Sequence, residues 1–538
     1  MCGGGLWALV GAGMGLVWPA VVWAQPVTVE VTRYEVQGQT LLPAGAVDSV
    51  LKNFEGPQTL DGLRSAAQAL EARYREAGFG SVVVHLPEQA LEPRGPVRLR
   101  VTEGRLGDLF VHGNRYHSLE NVLGSLPSLR AGETPNLIEV DANTVMVNDS
   151  PAKSLRVVFQ PGQKPGLVDA LVRVEDQISQ RWTLSLDNTG RSSTGLYRTS
   201  VSYQDADWRG GDEVLGLRAE TSPTQLRDNL TVGSSLRWPI YKQLAALELS
   251  ANYSDVKSAT SRTAAGDLSF AGRGKALGVK YLRYLDRIGE GKQQLSVGLD
   301  WRQFLNDCTL GSFGAAGCGS AAASVGVRPL NLAYNLQSVG HYSANVQWVG
   351  NLWAGGPHGQ QADFSAVRPG AKAHYQVLRT GLSTFTALGR DSTLSWRGAL
   401  QWSPNGLVPG EQFGLGGAGS VRGYLERELV GDQGVSTSLE WSTPVPSISQ
   451  SPTWAQVWGN APALSAAAFA DLGHLSNRLG TQCLAGSASC NLVSVGAALV
   501  LAQQGRWQSR LDLAHALRNA SVTQRGHNRI HISFSYVL

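Results

Sequence analysis

An arginine set among glycines, in Gly419-Ser420-Val421-Arg422-Gly423-Tyr424, carries a charge that it cannot shed, so it needs either water or a fixed carboxylate. The segment Ala468-Phe469-Ala470-Asp471-Leu472-Gly473 offers the carboxylate. In an extended chain Phe469, Asp471 and Gly473 share one face while Ala470 and Leu472 take the other. The chemistry available is an ion pair between a loop and a strand, and the glycines beside Arg422 permit close backbone approach. Such a pair is a latch and not a reaction centre.

No serine or cysteine stands in a nucleophile pattern, and the ten histidines show no metal-ligand spacing. The chain therefore reads as a non-enzyme with no catalytic, cofactor or metal site. Gly414-x-Gly416-x-x-Gly419 matches the dinucleotide fingerprint, but that match needs a strand before it and a helix after it. The surroundings read as loop, so its glycines are expected to give flexibility. Cys308 with Cys318, and Cys483 with Cys490, each fall within one Gly/Ala/Ser-rich loop, which in an exported chain points to two local disulfides. Zinc is the competing use, unsupported by any CxxC or HxxxH spacing.

The elements that would position Arg422 and Asp471 follow from composition and period. The 538 residues carry a net charge of +4, which gives no electrostatic case for nucleic acid, and their 63 glycines and 15 tryptophans suit many strands and turns. Residues 1–24 hold no Lys, Arg, Asp or Glu and run apolar from Leu6 to Trp23. A cleaved secretory signal is expected there, lacking the usual basic leader; an uncleaved anchor helix is the alternative.

Residues 27–103 and 104–176 read as two small α+β domains in tandem, each ordered strand, helix, helix, strand, strand. In the first, Thr59 is expected to cap a helix with Leu63, Ala67, Leu70 and Tyr74 on one face, and Gly78 to end it. The second has a Gly113-Asn114 turn, a cap at Ser118, and Thr134-Pro135 as cap and first position of its second helix.

From 178 to 538 strict alternation takes over, as in Leu295, Val297, Leu299 and Trp301, and in Leu394, Trp396, Gly398, Leu400 and Trp402. About sixteen segments of roughly ten residues can be placed, an even number that suits a closed transmembrane β-barrel. The final segment, with Ile530, Ile532, Phe534, Tyr536 and Leu538 on one face, runs to the last residue and must be paired there. A soluble sandwich is the competing fold. If the first strand runs outward, both cysteine pairs and the segment 403–433 lie on the outer side. Asp471, ending the thirteenth strand, must face the lumen, since an acid facing lipid is costly.

Two such domains, with the Gly113-Asn114 turn and the Pro161-Gly162 to Gly166 hairpin, precede a barrel carrying Val421-Arg422-Gly423-Tyr424 and Phe469-x-Asp471-x-Gly473. This arrangement resembles the two-partner secretion transporters, the haemolysin-activator and filamentous-haemagglutinin exporters often called TpsB, within the outer-membrane assembly superfamily. The resemblance implies two periplasmic POTRA domains before an outer-membrane barrel of channel type. It also implies a sixth external loop folded into the lumen and an Arg422–Asp471 contact, with Val421, Gly423, Tyr424, Phe469 and Gly473 as accompanying motif positions. Members export a large β-helical exoprotein, unfolded and without ATP, whose reading frame commonly lies alongside. Some carry an N-terminal plug helix, for which Gln25 to Val31 leaves no room. The expected partners are such an exoprotein and outer-membrane lipid, with no cofactor and no nucleic acid, and the pore is expected to work as a monomer. An assembly factor for other barrels, or a passive channel or receptor, are the alternatives.

Overall fold

The computed structural model describes residues 28–90, 95–226, 228–263, 266–338, 340–389, 391–445, 462–480, 482–484 and 486–538. The expected leader, residues 1–24, and residues 25–27 after it lie outside this set. Two compact units emerge: one runs to Arg105 and includes Gln163–Leu167, the other holds Leu106–Gly162 and Val168–Leu538.

The first unit contains β1 (Thr28–Val31), β2 (Arg33–Gln37), α1 (Ala44–Leu51), β3 (Gly56–Thr59), α2 (Leu60–Glu76), β4 (Val82–His85) and β5 (Pro96–Glu103). Thr59 Oγ1 accepts from the Gly62 N–H at 3.2 Å, satisfying one of the free donors at the start of α2. Leu63, Ala66, Ala67, Leu70 and Tyr74 are buried on one face of that helix. The main sheet runs β2-β5-β4, with β2 parallel and β4 antiparallel to β5. The pairing of β1 with β3 gives the sequence no signal, because Gly56-Pro57-Gln58-Thr59 has neither alternation nor β-branched character before its last residue.

The second unit opens with the same arrangement. Here β6 (Arg105–His112), β7 (Lys153–Pro161) and β8 (Leu167–Asp176) form a sheet in the order β6-β8-β7, with α3 (Leu119–Gly124) and α4 (Leu137–Val147) between β6 and β7. Gly113 has φ of +96°, and a Cβ there would lie 2.1 Å from the Val174 carbonyl oxygen, so the turn after β6 requires glycine. Ser118 caps α3 as expected. The cap of α4 is Asn136 and not Thr134: its Oδ1 accepts from Ile138 N and Glu139 N, which moves the helix start two residues beyond the Thr134-Pro135 signal.

Sixteen antiparallel strands follow among the described residues and close on themselves. Closure joins the first strand (Gln180–Asp187) to the sixteenth (Asn528–Val537) through Thr183–Asp187 and Ser533–Val537. Leu538 N also donates to Trp182 O at 2.9 Å, so the chain end is hydrogen-bonded. The eighth strand is broken into Val325–Val327 and Leu330–Ser338, both paired to the seventh (Gly291–Leu310). Pro329, which has no N–H to offer a ladder, sits in the break. The fifth, sixth and seventh strands run 19, 23 and 20 residues, about twice the expected ten, and the sixth starts at Gly266, ahead of the expected start near 273.

Outward-facing Leu, Ile, Val and Trp form the exposed apolar set, while inward positions of the last strands are buried. No helix of the described residues is long and apolar enough to cross a membrane. Cys308–Cys318 and Cys483–Cys490 are bonded. Contrary to the expectation that both partners lie in loops, Cys308 lies near the end of the seventh strand and Cys490 near the start of the fourteenth (Ser489–Gln503), so each bridge ties the adjoining connection to its own strand.

Candidate functional site

The eleventh strand (Ser392–Trp402) and the twelfth (Gln433–Pro444) are joined by residues 403–432, the sixth external loop. Within it Phe413–Leu415 and Leu429–Gly431 pair as a short antiparallel ribbon that carries Val421-Arg422-Gly423-Tyr424 at its far end. The ribbon strand Phe413–Leu415 overlaps the start of the Gly414-x-Gly416-x-x-Gly419 match, and turns and no helix follow it, so no phosphate-facing helix N-terminus exists there. Gly416 and Gly417 adopt φ of +104° and +98° at the bend, and Ser420 Oγ accepts from Gly416 N at 2.9 Å. At its base Asp432, fully buried, pairs with Arg368 and accepts from Leu407 N at 2.9 Å.

At the tip Arg422 is 2 % exposed and its donors are saturated. Asp471 on the thirteenth strand (Ala463–Ser476) takes the Arg422 backbone N–H at 3.0 Å, Nε at 2.8 Å and Nη2 at 2.8 Å. Nη1 donates to Glu440 Oε2 at 2.7 Å and to Asp512 Oδ1 at 3.1 Å, and Nη2 reaches Ser438 Oγ at 3.1 Å. The guanidinium carbon stands 3.3 Å from the centre of the Phe469 ring, a cation–π arrangement that covers its face. Asp471 thus occupies a mid-strand position and not the strand end expected, because pairing continues to Ser476.

The remaining motif residues complete the seat. Gly423, at φ of +93°, donates its N–H to His531 Nε2 at 3.1 Å. Tyr424 is buried with its hydroxyl between Val493 O at 2.9 Å and Arg518 O at 3.0 Å. Val421 packs with Leu415, Leu429, Leu475 and Leu492. A Cβ on Gly473 would stand 2.6 Å from Leu415 Cδ1 and 2.9 Å from Val421 Cγ2, so the loop lies directly on the wall at that glycine.

Strand register explains the convergence. Ser438 faces Asp471, Asp471 faces Ser494, and Glu440 faces Phe469, which faces Gly496. On the fourteenth and fifteenth strands the inward positions are small, Ser494, Gly496, Ala514 and Ala516, and a Cβ added to Gly423 would find Ser494 Cβ at 3.6 Å and Ala514 Cβ at 3.5 Å. This shallow depression in the wall receives the loop tip.

The sequence alone points to one carboxylate; the structure brings three, with a second arginine. Arg510 donates to Glu440 Oε2 at 2.8 Å and to Asp512 Oδ1 at 2.7 Å. Two guanidinium groups thus face three carboxylates, one negative charge in excess. Glu440, Arg510, Asp512 and His531 were legible only as lumen-facing members of alternating strands. Low dielectric strengthens such a network when it is complete, and removing one member leaves a buried charge without its partner, at a cost of about 3–5 kcal/mol.

A sequence model described as haemolysin secretion/activation protein ShlB/FhaC/HecB matches residues 170–491. The chain belongs to this family. A POTRA domain of ShlB type matches residues 29–104. Among curated relatives of this ShlB/FhaC/HecB member, the heme/hemopexin transporter protein HuxB of Haemophilus influenzae is 23 % identical over 492 residues, covering 87 % of this chain and 80 % of the relative. The outer membrane transporter CdiB of Escherichia coli is 23 % identical over 440 residues, 77 % of this chain and 69 % of the relative. Solved CdiB structures from Escherichia coli and Acinetobacter baumannii share the fold at TM-scores of 0.77 and 0.72, with 18 % and 17 % identity; they cover 98 % and 96 % of this chain and 94 % and 91 % of theirs. The ShlB/FhaC/HecB assignment makes the chain an outer-membrane transporter of two-partner secretion and not an enzyme.

Proposed function

We propose that the chain exports one dedicated exoprotein, bound unfolded in the periplasm and passed through the barrel without ATP, and that Arg422 seats the sixth loop on the barrel wall as the latch of the pore. The observation that carries this reading is the six hydrogen bonds from one buried loop arginine to the twelfth, thirteenth and fifteenth strands. A loop exposed to solvent would not desolvate a guanidinium in this way. In the small domains β4 is a sheet-edge strand of the first and β7 of the second, and an extended client can add a strand to such an edge through main-chain hydrogen bonds without a sequence demand. Direction comes from the client folding outside.

The test is secretion of the exoprotein encoded alongside. Removal of residues 27–175 is expected to leave an inserted barrel that secretes nothing. Undiminished secretion would refute periplasmic capture by these domains.

A further inference from the structure

His117 precedes α3 in the second small domain, whereas Asp207 and Asp212 belong to the inner turn between the second (Arg198–Asp205) and third (Val214–Thr221) barrel strands. One ring nitrogen of His117 and one carboxylate oxygen of each aspartate lie within 4.8 Å of one another. The histidine is 3 % exposed. Its Nδ1 lies 3.2 Å from Asp176 Oδ2, and its Nε2 has no hydrogen-bond partner among the described residues. A proton on Nδ1, held by Asp176, leaves the Nε2 lone pair free. That is the arrangement by which a carboxylate orients a metal-binding imidazole.

Charge favours a cation as well. Asp176, Asp207 and Asp212 supply three carboxylates, and the fixed cation among them is Lys153, whose ammonium is 2.8 Å from Asp212 Oδ2. Three carboxylates against one ammonium leave two negative charges in excess among these groups at a buried junction. Asn121 fixes both aspartates, its Nδ2 donating to Asp207 Oδ1 at 3.2 Å and Asp212 Oδ1 at 3.0 Å. We infer that His117, Asp207 and Asp212 form a divalent transition-metal site, of zinc class, that clamps the second small domain to the first inner turn of the barrel. One imidazole and two carboxylates match zinc chemistry, whereas calcium and magnesium prefer oxygen donors throughout. Sequence spacing alone gives no sign of this metal site, because His117 stands 90 residues before Asp207 and 95 before Asp212 and meets them only through the fold.

The experiment uses the full-length transporter in detergent, stripped with a chelator and titrated with zinc chloride alone, bound metal being counted by mass spectrometry after desalting. About one tightly held equivalent is expected, with Asp207→Asn and His117→Gln each weakening it at least tenfold. Asp176→Asn, which touches no metal, is expected to cost about tenfold to a hundredfold in affinity through loss of ring orientation. Asp207 is only half-buried, so Asp207→Asn decides the matter if His117→Gln misfolds. Wild-type protein that retains no zinc, variants that bind as wild type does, or a preference for calcium over zinc would each overturn the assignment.

Discussion

Arg422 gives three of its hydrogen bonds to Asp471, one from the backbone and two from the guanidinium. The pairing is therefore a matter of shape as much as charge. Lysine offers a point charge with no fork, so Arg422→Lys keeps the ion and loses the Nε and Nη2 bonds together. The loss is expected to be about 2–3 kcal/mol of loop seating, from the strength of hydrogen bonds to charged groups. Limited proteolysis of the outer face should then cut within residues 403–432 while the barrel stays resistant.

Exchange of the two charges is expected to fail as a rescue. With Arg422→Asp and Asp471→Arg combined, the new carboxylate at position 422 faces Glu440 and Asp512, which bond to Arg422 at 2.7 Å and 3.1 Å in the native protein. Secretion should return only in small part. Full recovery would show that Asp471 alone is the functional partner.

At Gly473 a single methyl group is expected to matter. Leu415 Cδ1 and Val421 Cγ2 occupy the space a Cβ would take, and both residues are fully buried. Gly473→Ala should cost about 1–3 kcal/mol by overpacking, and Leu415→Ala in the same chain should restore loop protection and secretion.

Gly423→Ala tests a different cost. The space around its Cβ is ordinary, the nearest atom being 3.5 Å away, but φ is +93°. The expected penalty of about 1–2 kcal/mol is conformational, so no second-site truncation of Ala514 or Ser494 should relieve it.

Much of this arrangement is legible in the sequence. Alternation from Trp182 to Leu538 requires a two-faced sheet, and the cost of an acid in lipid sends Asp471 inward. Tyr424 and Val421 could be placed only by resemblance. Glu440, Arg510 and Asp512 stay hidden for a physical reason: a polar residue on a lumen face is unexceptional, and only register across four strands reveals that Glu440 and Asp512 reach Arg422 while Arg510 braces both. Asn136 takes the cap although Thr134-Pro135 also signals a helix start; both are capping residue types, and the sequence does not rank them. The β1–β3 ribbon has no periodic signal at all.

The central claim is that Arg422 acts by holding the loop tip on the wall, and a covalent substitute tests it most directly. Positions 423 and 494 are within bridging distance, since a Cβ on Gly423 stands 3.6 Å from that of Ser494, and the covalent link has to offset the same backbone cost that Gly423→Ala meets. Arg422→Ala should abolish most secretion of the exoprotein. Adding Gly423→Cys and Ser494→Cys to that variant should restore a substantial part of it under oxidising conditions, and reductant should remove the gain without equal effect on the wild type. A bridge that forms completely yet leaves the Arg422→Ala variant inactive, or an Arg422→Ala variant that secretes as the wild type does, would contradict the latch.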